Sequence, residues 1–401
     1  MSYQSVIKDK RFLVYFLGVS ISNFGNALTL FVFPLMVLQI THSPFQLGVV
    51  AALGYLPYAL LGLPAGALID RFNKKRVMQY ADFARFVAYL SIPIVDYFFG
   101  LNIYYIYIVV IISGIALVFH SISEISIIPK IVQKDQLTEA NSYIYATQNI
   151  AEFIGPIVGG ILYASVGYAL LLMIDAVTFL ISIMSLCLIT INYISKAADL
   201  CLSDIYSDIK VGIKNILYLP LIKDMLVILV ASNLIISPYY IYVVVFVQDV
   251  LAGNSTSLGM VFGVASLGAL FGSIVTNYLR LKLPWGKLIF ITLIIDAMFR
   301  FILPFSLTIY LFAIFLAVTY STQAILNIAI ITMRQELTPE VYLGRVNSVF
   351  KTAVFAARPV GLFLGGIILE SYNSFWSLFF SAILCIILCI FAALRRIVSK
   401  E

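Results

Sequence analysis

From Phe12 to Ile69 the chain carries not one Asp, Glu, Lys or Arg. A water-soluble helix or strand needs a polar outer face, so a run of this length does not belong to a soluble domain. Roughly 20 apolar residues cross a bilayer as a helix, and the run therefore holds two spans with a break between them. THSP, Thr41 to Pro44, supplies that break, because the residue before a proline is biased away from helix. Inside lipid only helices and closed barrels satisfy the backbone. Barrel strands of ~10 alternating residues do not fit segments so long and so uniformly apolar. Of the 401 residues, 62% are hydrophobic and 11% charged, whereas apolar residues make up ~45–50% of soluble domains. The first segment runs on into a second span, which predicts no cleaved signal peptide.

Reading apolar runs against their breaks predicts an all-α membrane protein with twelve spans, near residues 12–40, 45–69, 77–98, 103–129, 138–164, 168–194, 221–247, 257–279, 288–306, 308–333, 343–368 and 374–394. Lys and Arg outside the spans fall at Lys8, Lys10 and Arg11, at Arg71 to Arg76, at Lys130 and Lys134, from Lys196 to Lys214, from Arg280 to Lys287, at Arg334, and at Arg395, Arg396 and Lys400. In a twelve-span topology all of these lie on one side. The opposite loops, around His42, Asn102, Gly167, Asp249, Leu307 and Tyr372, contain none. By the positive-inside rule both termini are cytoplasmic and the chain is a multi-pass protein of the cell membrane. The net charge of +6 is thus a topological signal, and no nucleic-acid partner is expected. Cys187, Cys385 and Cys389 sit in apolar segments and Cys201 in a polar one, which offers no external disulfide framework.

The longest polar stretch divides the chain near its middle. Leu202, Ile205, Ile209, Ile213 and Ile216 recur at helical spacing opposite Asp204, Asp208, Lys210 and Lys214, as in an amphipathic helix on the membrane surface. The expected organisation is a six-helix bundle over 1–194, a cytoplasmic linker over 195–220 and a second six-helix bundle over 221–401. NSYIYATQNIAEFIGPIVGGI from Asn141 matches NSVFKTAVFAARPVGLFLGGI from Asn347 at one constant offset, which pairs Gly155 with Gly361, Gly159 with Gly365 and Gly160 with Gly366. Six spans per half make this a parallel repeat, and substrate sites of such transporters lie near mid-membrane.

The loop GALIDRFNKKR holds Gly66, Asp70, Arg71, Lys74, Lys75 and Arg76. Its basic residues anchor the loop beside anionic lipid, which leaves Asp70 to be explained. The loop resembles the G-x-x-x-D-R-x-x-R-[RK]-[RK] motif of the major facilitator superfamily. In that family it serves as a cytoplasmic gate that stabilises the outward-facing state. Gly155, Pro156, Gly159 and Gly160 resemble the family's G-P-x-x-G-G exporter motif, in which small residues permit close helix packing. GYLPYALLG, VFHS, QLTEANSY and PEVYLGRVNSV are similar to the macrolide-efflux and siderophore-exporter branch, also called transmembrane secretion effectors, along essentially the whole chain. Drug exporters of the superfamily often carry an arginine in span 4, where this chain has Ser113 and no basic residue.

A charge at mid-bilayer costs about 2.5–3.5 kcal/mol even on a mild scale, so each one needs a partner, a cavity or a function. Asp82 with Arg85 and Asp296 with Arg300 lie on spans that support the family fold from outside, at spacings that let each pair neutralise itself. Asp175 stands alone on span 6. Glu152 lies near the centre of span 5 and is the first candidate for proton exchange, with a fixed pair to Arg358 or Lys351 as the competing reading. His120 and Glu124, four apart on span 4, share a face and are further proton candidates. Lys351 and Arg358 could receive an anionic substrate group. Asn23, Asn26, Tyr55, Tyr58, Gln148, Asn233, Tyr239, Gln323 and Asn327 are cavity candidates suited to a bulky amphiphile.

The resemblance implies a secondary transporter that exports a small amphiphilic molecule, of drug, macrolide or siderophore class, by alternating access against protons. It implies a monomer without cofactor. No GxxxxGK[ST] loop is present, no nucleophile–base constellation marks an enzyme, and no ligand cluster marks a metal site. A metal-ion or lipid carrier of the same fold, and a non-transporting sensor or scaffold, stand as alternatives.

Overall fold

A computed structural model describes residues 6–69, 72–133, 136–190, 213–214, 216, 218 and 220–394. Most of the 195–220 linker, together with Asp70 and Arg71 of the charged loop, lies outside the described residues. The helices are α1 (Lys10–Thr41), α2 (Pro44–Ile69), α3 (Lys74–Phe99), α4 (Ile103–Ile131), α5 (Leu137–Leu188), α6 (Pro220–Ile236), α7 (Tyr239–Asp249), α8 (Ser255–Lys282), α9 (Trp285–Ile302), α10 (Ile309–Leu337) and α11 (Glu340–Leu394). No strand occurs among the described residues.

Local chemistry sets the helix ends. α1 stops at Thr41, where His42 turns left-handed (φ 49°) and donates its N–H back to the Leu38 carbonyl, and Pro44 opens α2. Asn73 starts α3 by accepting from the N–H groups of Lys75 and Arg76, at 3.1 and 3.4 Å. Asn102, Asn254 and Thr308 cap α4, α8 and α10 in the same way.

Nine helical stretches among the described residues are long and apolar enough to cross a bilayer. Two of them, Glu139–Leu188 and Arg345–Leu394, have 50 residues each, and a hydrocarbon core ~30 Å thick accommodates roughly 20. Each is folded on itself at one residue: Gly167 (φ 71°, ψ −176°) in α5 and Asn373 (φ 67°, ψ 172°) in α11. Both helices therefore consist of two arms. α3 is not among the nine, because it carries Lys74, Lys75, Arg76, Asp82, Arg85 and Asp96.

The chain forms two compact units, one of Met1–His42 with Leu53–Asp199, the other of Ser43–Ala52 with Leu200–Glu401. In the first, α1 runs along α5 while α3 packs on α4 and α5. Its core joins Phe12, Tyr15, Met78, Ile127 and Leu186. The second packs α10 on α8 and α9, and α11 on α6 and α9, around Ile228, Trp285, Leu326, Phe350 and Leu388. Large apolar side chains such as Leu60, Phe83, Ile274 and Ile387 are exposed, as expected of faces that meet lipid.

The paired glycines of the repeat are packing seams. A Cβ on Gly155 would stand 2.5 Å from the Cβ of Ala27, so only glycine lets α5 lie this close to α1. Gly361 does the same in the second unit, where a Cβ would strike the Leu234 carbonyl and the Ser237 hydroxyl on α6 and its exit.

Candidate functional site

The first unit buries a cluster of charged and polar groups that comes from four helix segments. Asp82 is wholly buried on α3. Its Oδ2 accepts from the Ser182 hydroxyl of the second α5 arm at 2.7 Å, and its Oδ1 lies 3.3 Å from Nε2 of His120 on α4. That last contact is at ion-pair distance but is not aligned as a hydrogen bond, so both atoms lack one. Glu124 sits one turn further along α4, within electrostatic reach of Asp82 and His120, with its Oε1 buried and unbonded. Tyr15 of α1 brings a buried hydroxyl to the same interior.

Arg85 departs from its expected partner. Three residues along the helix from Asp82, it turns instead to α1, donating from Nη2 to the side-chain oxygen of Asn26. Its guanidinium carbon stands 4.1 Å from the ring centre of Phe179. The partners on α1 and α5, together with the imidazole beside Asp82, take the place of a direct ion pair between two groups that the sequence pairs, while Arg85 stays within electrostatic reach of Asp82. Asp175 is likewise not alone: it accepts from the hydroxyls of Thr29 on α1 and Thr178, the latter at 3.0 Å. Ser113 donates to the Tyr89 hydroxyl at 2.7 Å.

The second unit resolves its interior charges differently. Arg300 donates from Nε to Asp296 Oδ2 at 2.7 Å, Thr322 donates to Asp296 Oδ1 at 2.9 Å, and the Arg300 guanidinium carbon lies 4.3 Å from the ring centre of Tyr239. This is the closed i,i+4 pair that the spacing predicts. It places Tyr239 in the packed interior.

The remaining sequence candidates are more dispersed. Asn233 accepts from Nε of Arg358 at 3.2 Å while its amide donates to the Leu229 carbonyl at 2.9 Å, so α6 and α11 bring two of them together. Gln323 and Asn327 are half-buried on α10, with Gln323 Oε1 unbonded, and Lys351 is exposed on α11. In the first unit Asn23, Tyr55, Tyr58 and Gln148 are half-buried. Glu152 is exposed on the first arm of α5, three residues before Gly155, and Pro156 and buried Gly159 and Gly160 follow.

Of the charged loop, Gly66 lies near the end of α2 and Lys74 is buried. Lys75 donates from Nζ to the carbonyls of Ile189 and Cys187, at 2.8 and 3.4 Å, which neutralises the exposed carbonyl end of α5. Arg76 is exposed.

Two features escaped the sequence reading. One is Asp82 as the neighbour of His120, a contact across 38 positions with no local signal. The other is Glu370: within the second unit its Oε2 accepts from the Ser43 hydroxyl and the Phe45 N–H, at 3.1 and 3.0 Å, and so caps the start of α2. Among the described residues no three His, Cys, Asp or Glu side chains are arranged to hold a metal ion.

Comparison with known proteins gives these interiors a context. A family model described as transmembrane secretion effector matches residues 2–401. The multidrug efflux pump Tap of Mycolicibacterium fortuitum is 24% identical over 353 residues, 85% of each chain. Macrolide efflux protein A of Streptococcus pyogenes is 24% identical over 400 residues, 94% of each chain. Among solved structures, a bacterial homologue of the iron transporter ferroportin in its inward-facing state superposes with a TM-score of 0.73 at 17% identity, covering 96% of this chain and 100% of that one. A bacterial homologue of the lysosomal transporter Spinster gives 0.77 at 11% identity, covering 98% and 97%. These likenesses are of fold. With a full-length family match and apolar helices throughout, the chain belongs to the transmembrane secretion effectors of the major facilitator superfamily, multi-pass transporters of the cell membrane.

Proposed function

We propose that this chain is a secondary active exporter of a small amphiphilic molecule, of drug, macrolide or siderophore class, that works by alternating access and is driven by proton entry. The observation that carries the export reading is the near full-length similarity to proteins named as macrolide and multidrug efflux pumps. The proposed topology has twelve spans, in two six-helix bundles over 1–194 and 221–401 with a linker over 195–220, and both termini cytoplasmic. Asp70 and its basic neighbours form the proposed cytoplasmic gate, and the working unit is a monomer.

Substrate contacts are assigned to Asn23, Asn26, Tyr55, Tyr58, Gln148, Asn233, Gln323, Asn327, Lys351 and Arg358. The Asn233–Arg358 contact supports this, since it holds a cation beside an amide on neighbouring helices of the second unit. Proton exchange is assigned to Glu152, with His120 and Glu124 as further groups. A carboxyl group within a span is costly as an ion and inexpensive as a neutral acid, which suits a carrier of protons.

The test begins with a thermal-stability panel of macrolides, siderophores, lipids and cations on purified protein, followed by proteoliposome transport of the stabilising compound. Glu152→Gln is expected to abolish uptake driven by a pH gradient and to retain counterflow. Full gradient-driven uptake in that variant removes Glu152 as the proton site.

A further inference from the structure

The surroundings of His120 are rich in acid. Asp82, Glu124 and Asp175 supply three carboxyl groups, and Arg85 is the cation placed beside them among the described residues. Asp175 is provided for by the hydroxyls of Thr29 and Thr178, and Arg85 by Asn26 and the Phe179 ring. Asp82 has one hydrogen bond, from Ser182, and Glu124 Oε1 has none. The imidazole of His120 faces this surplus, its Nε2 lying 3.3 Å from Asp82 Oδ1.

With a lone pair on Nε2, that contact sets two acceptors against each other; a hydrogen on Nε2 turns it into a donor–acceptor contact, and when Nδ1 carries a hydrogen as well it is an ion pair. Two ionised carboxylates and a neutral imidazole would leave the interior with uncompensated negative charge, which burial makes costly. One bound proton halves that imbalance. No comparable demand exists around Asp296, which Arg300 neutralises and Thr322 completes.

We propose that Asp82, His120 and Glu124 form a proton-binding site inside the first unit, in which the exchangeable proton enters at Nε2 of His120 and is held against Asp82 and Glu124. Uptake converts the neutral imidazole to imidazolium, with Nε2–H facing Asp82, and release returns one proton to water. The charged and titratable groups facing the site are Tyr15 from α1, Asp82 and Arg85 from α3, His120 and Glu124 from α4, and Asp175 from α5. The role of the site in transport rests on the proton-driven reading above, whereas its proton binding is measurable without transport.

The chain has two histidines, His42 and His120, so His42→Asn leaves one reporter. Protein of this background, labelled with 15N-histidine and held in lipid nanodiscs, is titrated while the imidazole nitrogen shifts are followed. The expected result is that His120 exchanges a proton in the accessible pH range. Asp82→Asn and Glu124→Gln should each lower its proton affinity at least ~10-fold, one pK unit. Because Asp82→Asn could unfold the bundle, Ser182→Ala provides a milder variant, which should shift the titration midpoint while the protein stays folded. An imidazole that stays neutral throughout, or a midpoint unmoved by all three substitutions, overturns the proposal. If the titration is found as described but uptake ignores the pH gradient, the proton-driven reading fails and the binding site stands.

Discussion

The ion pair in the second unit permits a quantitative test of how this membrane interior handles charge. Asp296→Asn keeps the size and shape of the side chain and removes its charge. The fully buried Arg300 is then left with an amide oxygen in place of a carboxylate 2.7 Å from its Nε, and with the Tyr239 ring 4.3 Å from its guanidinium carbon. Breaking one side of a buried pair costs about 3–5 kcal/mol, and a retained cation–π contact offsets up to about 2 kcal/mol of that. The expected loss is therefore between about 1 and about 5 kcal/mol. Replacing both partners, Asp296→Leu with Arg300→Met, removes the uncompensated charge. Thr322 keeps its bond to the Thr319 carbonyl at 2.8 Å, so that variant should recover to within about 1 kcal/mol of the parent. Steric-trap unfolding in bilayer discs measures all three proteins on one scale. If the single variant is no less stable than the double, or lies within experimental error of the parent, the pair contributes nothing and the reasoning is wrong.

Two further predictions concern the backbone. Gly155→Leu should lower stability by about 1–3 kcal/mol, the usual range for overpacking, because even a Cβ there stands 2.5 Å from Ala27; an unchanged thermal midpoint would show that α1 can yield. Asn373→Gly should raise stability by about 1 kcal/mol by relieving a left-handed, extended-ψ conformation that costs a side-chain-bearing residue about 1–3 kcal/mol, less the lost Asn373–Trp376 cap; a lower midpoint would mean that the cap outweighs the strain.

Much of the fold was legible because lipid admits few solutions. The uncharged run from Phe12, broken at THSP, became α1 and α2 with the turn at His42. Asp296 and Arg300 were legible as a pair because four residues along a helix bring side chains together without help from elsewhere. Asp82 and Arg85 show the limit of such reasoning. Their spacing permits a pair, but Asn26, Phe179, Ser182 and His120 compete for them from three other segments, and which faces meet across helices is not encoded in the period of any one of them. His120 and Glu124 were identified as neighbours by spacing, and the third member of their group was not. Glu370 was invisible for the same reason: it acts on the start of a helix more than 300 positions away.

The turns at Gly167 and Asn373 are related by the same offset that joins Asn141 to Asn347, and their backbone angles agree within about 12°. One position holds a residue for which that conformation is free and the other a residue that must be held in it. The shape of the hairpin is thus kept at equivalent places of the repeat although the residue at the turn differs, so it is set by what the two arms must do rather than by the turn residue alone. Chimeras that exchange the two turns would show whether the halves can lend each other parts.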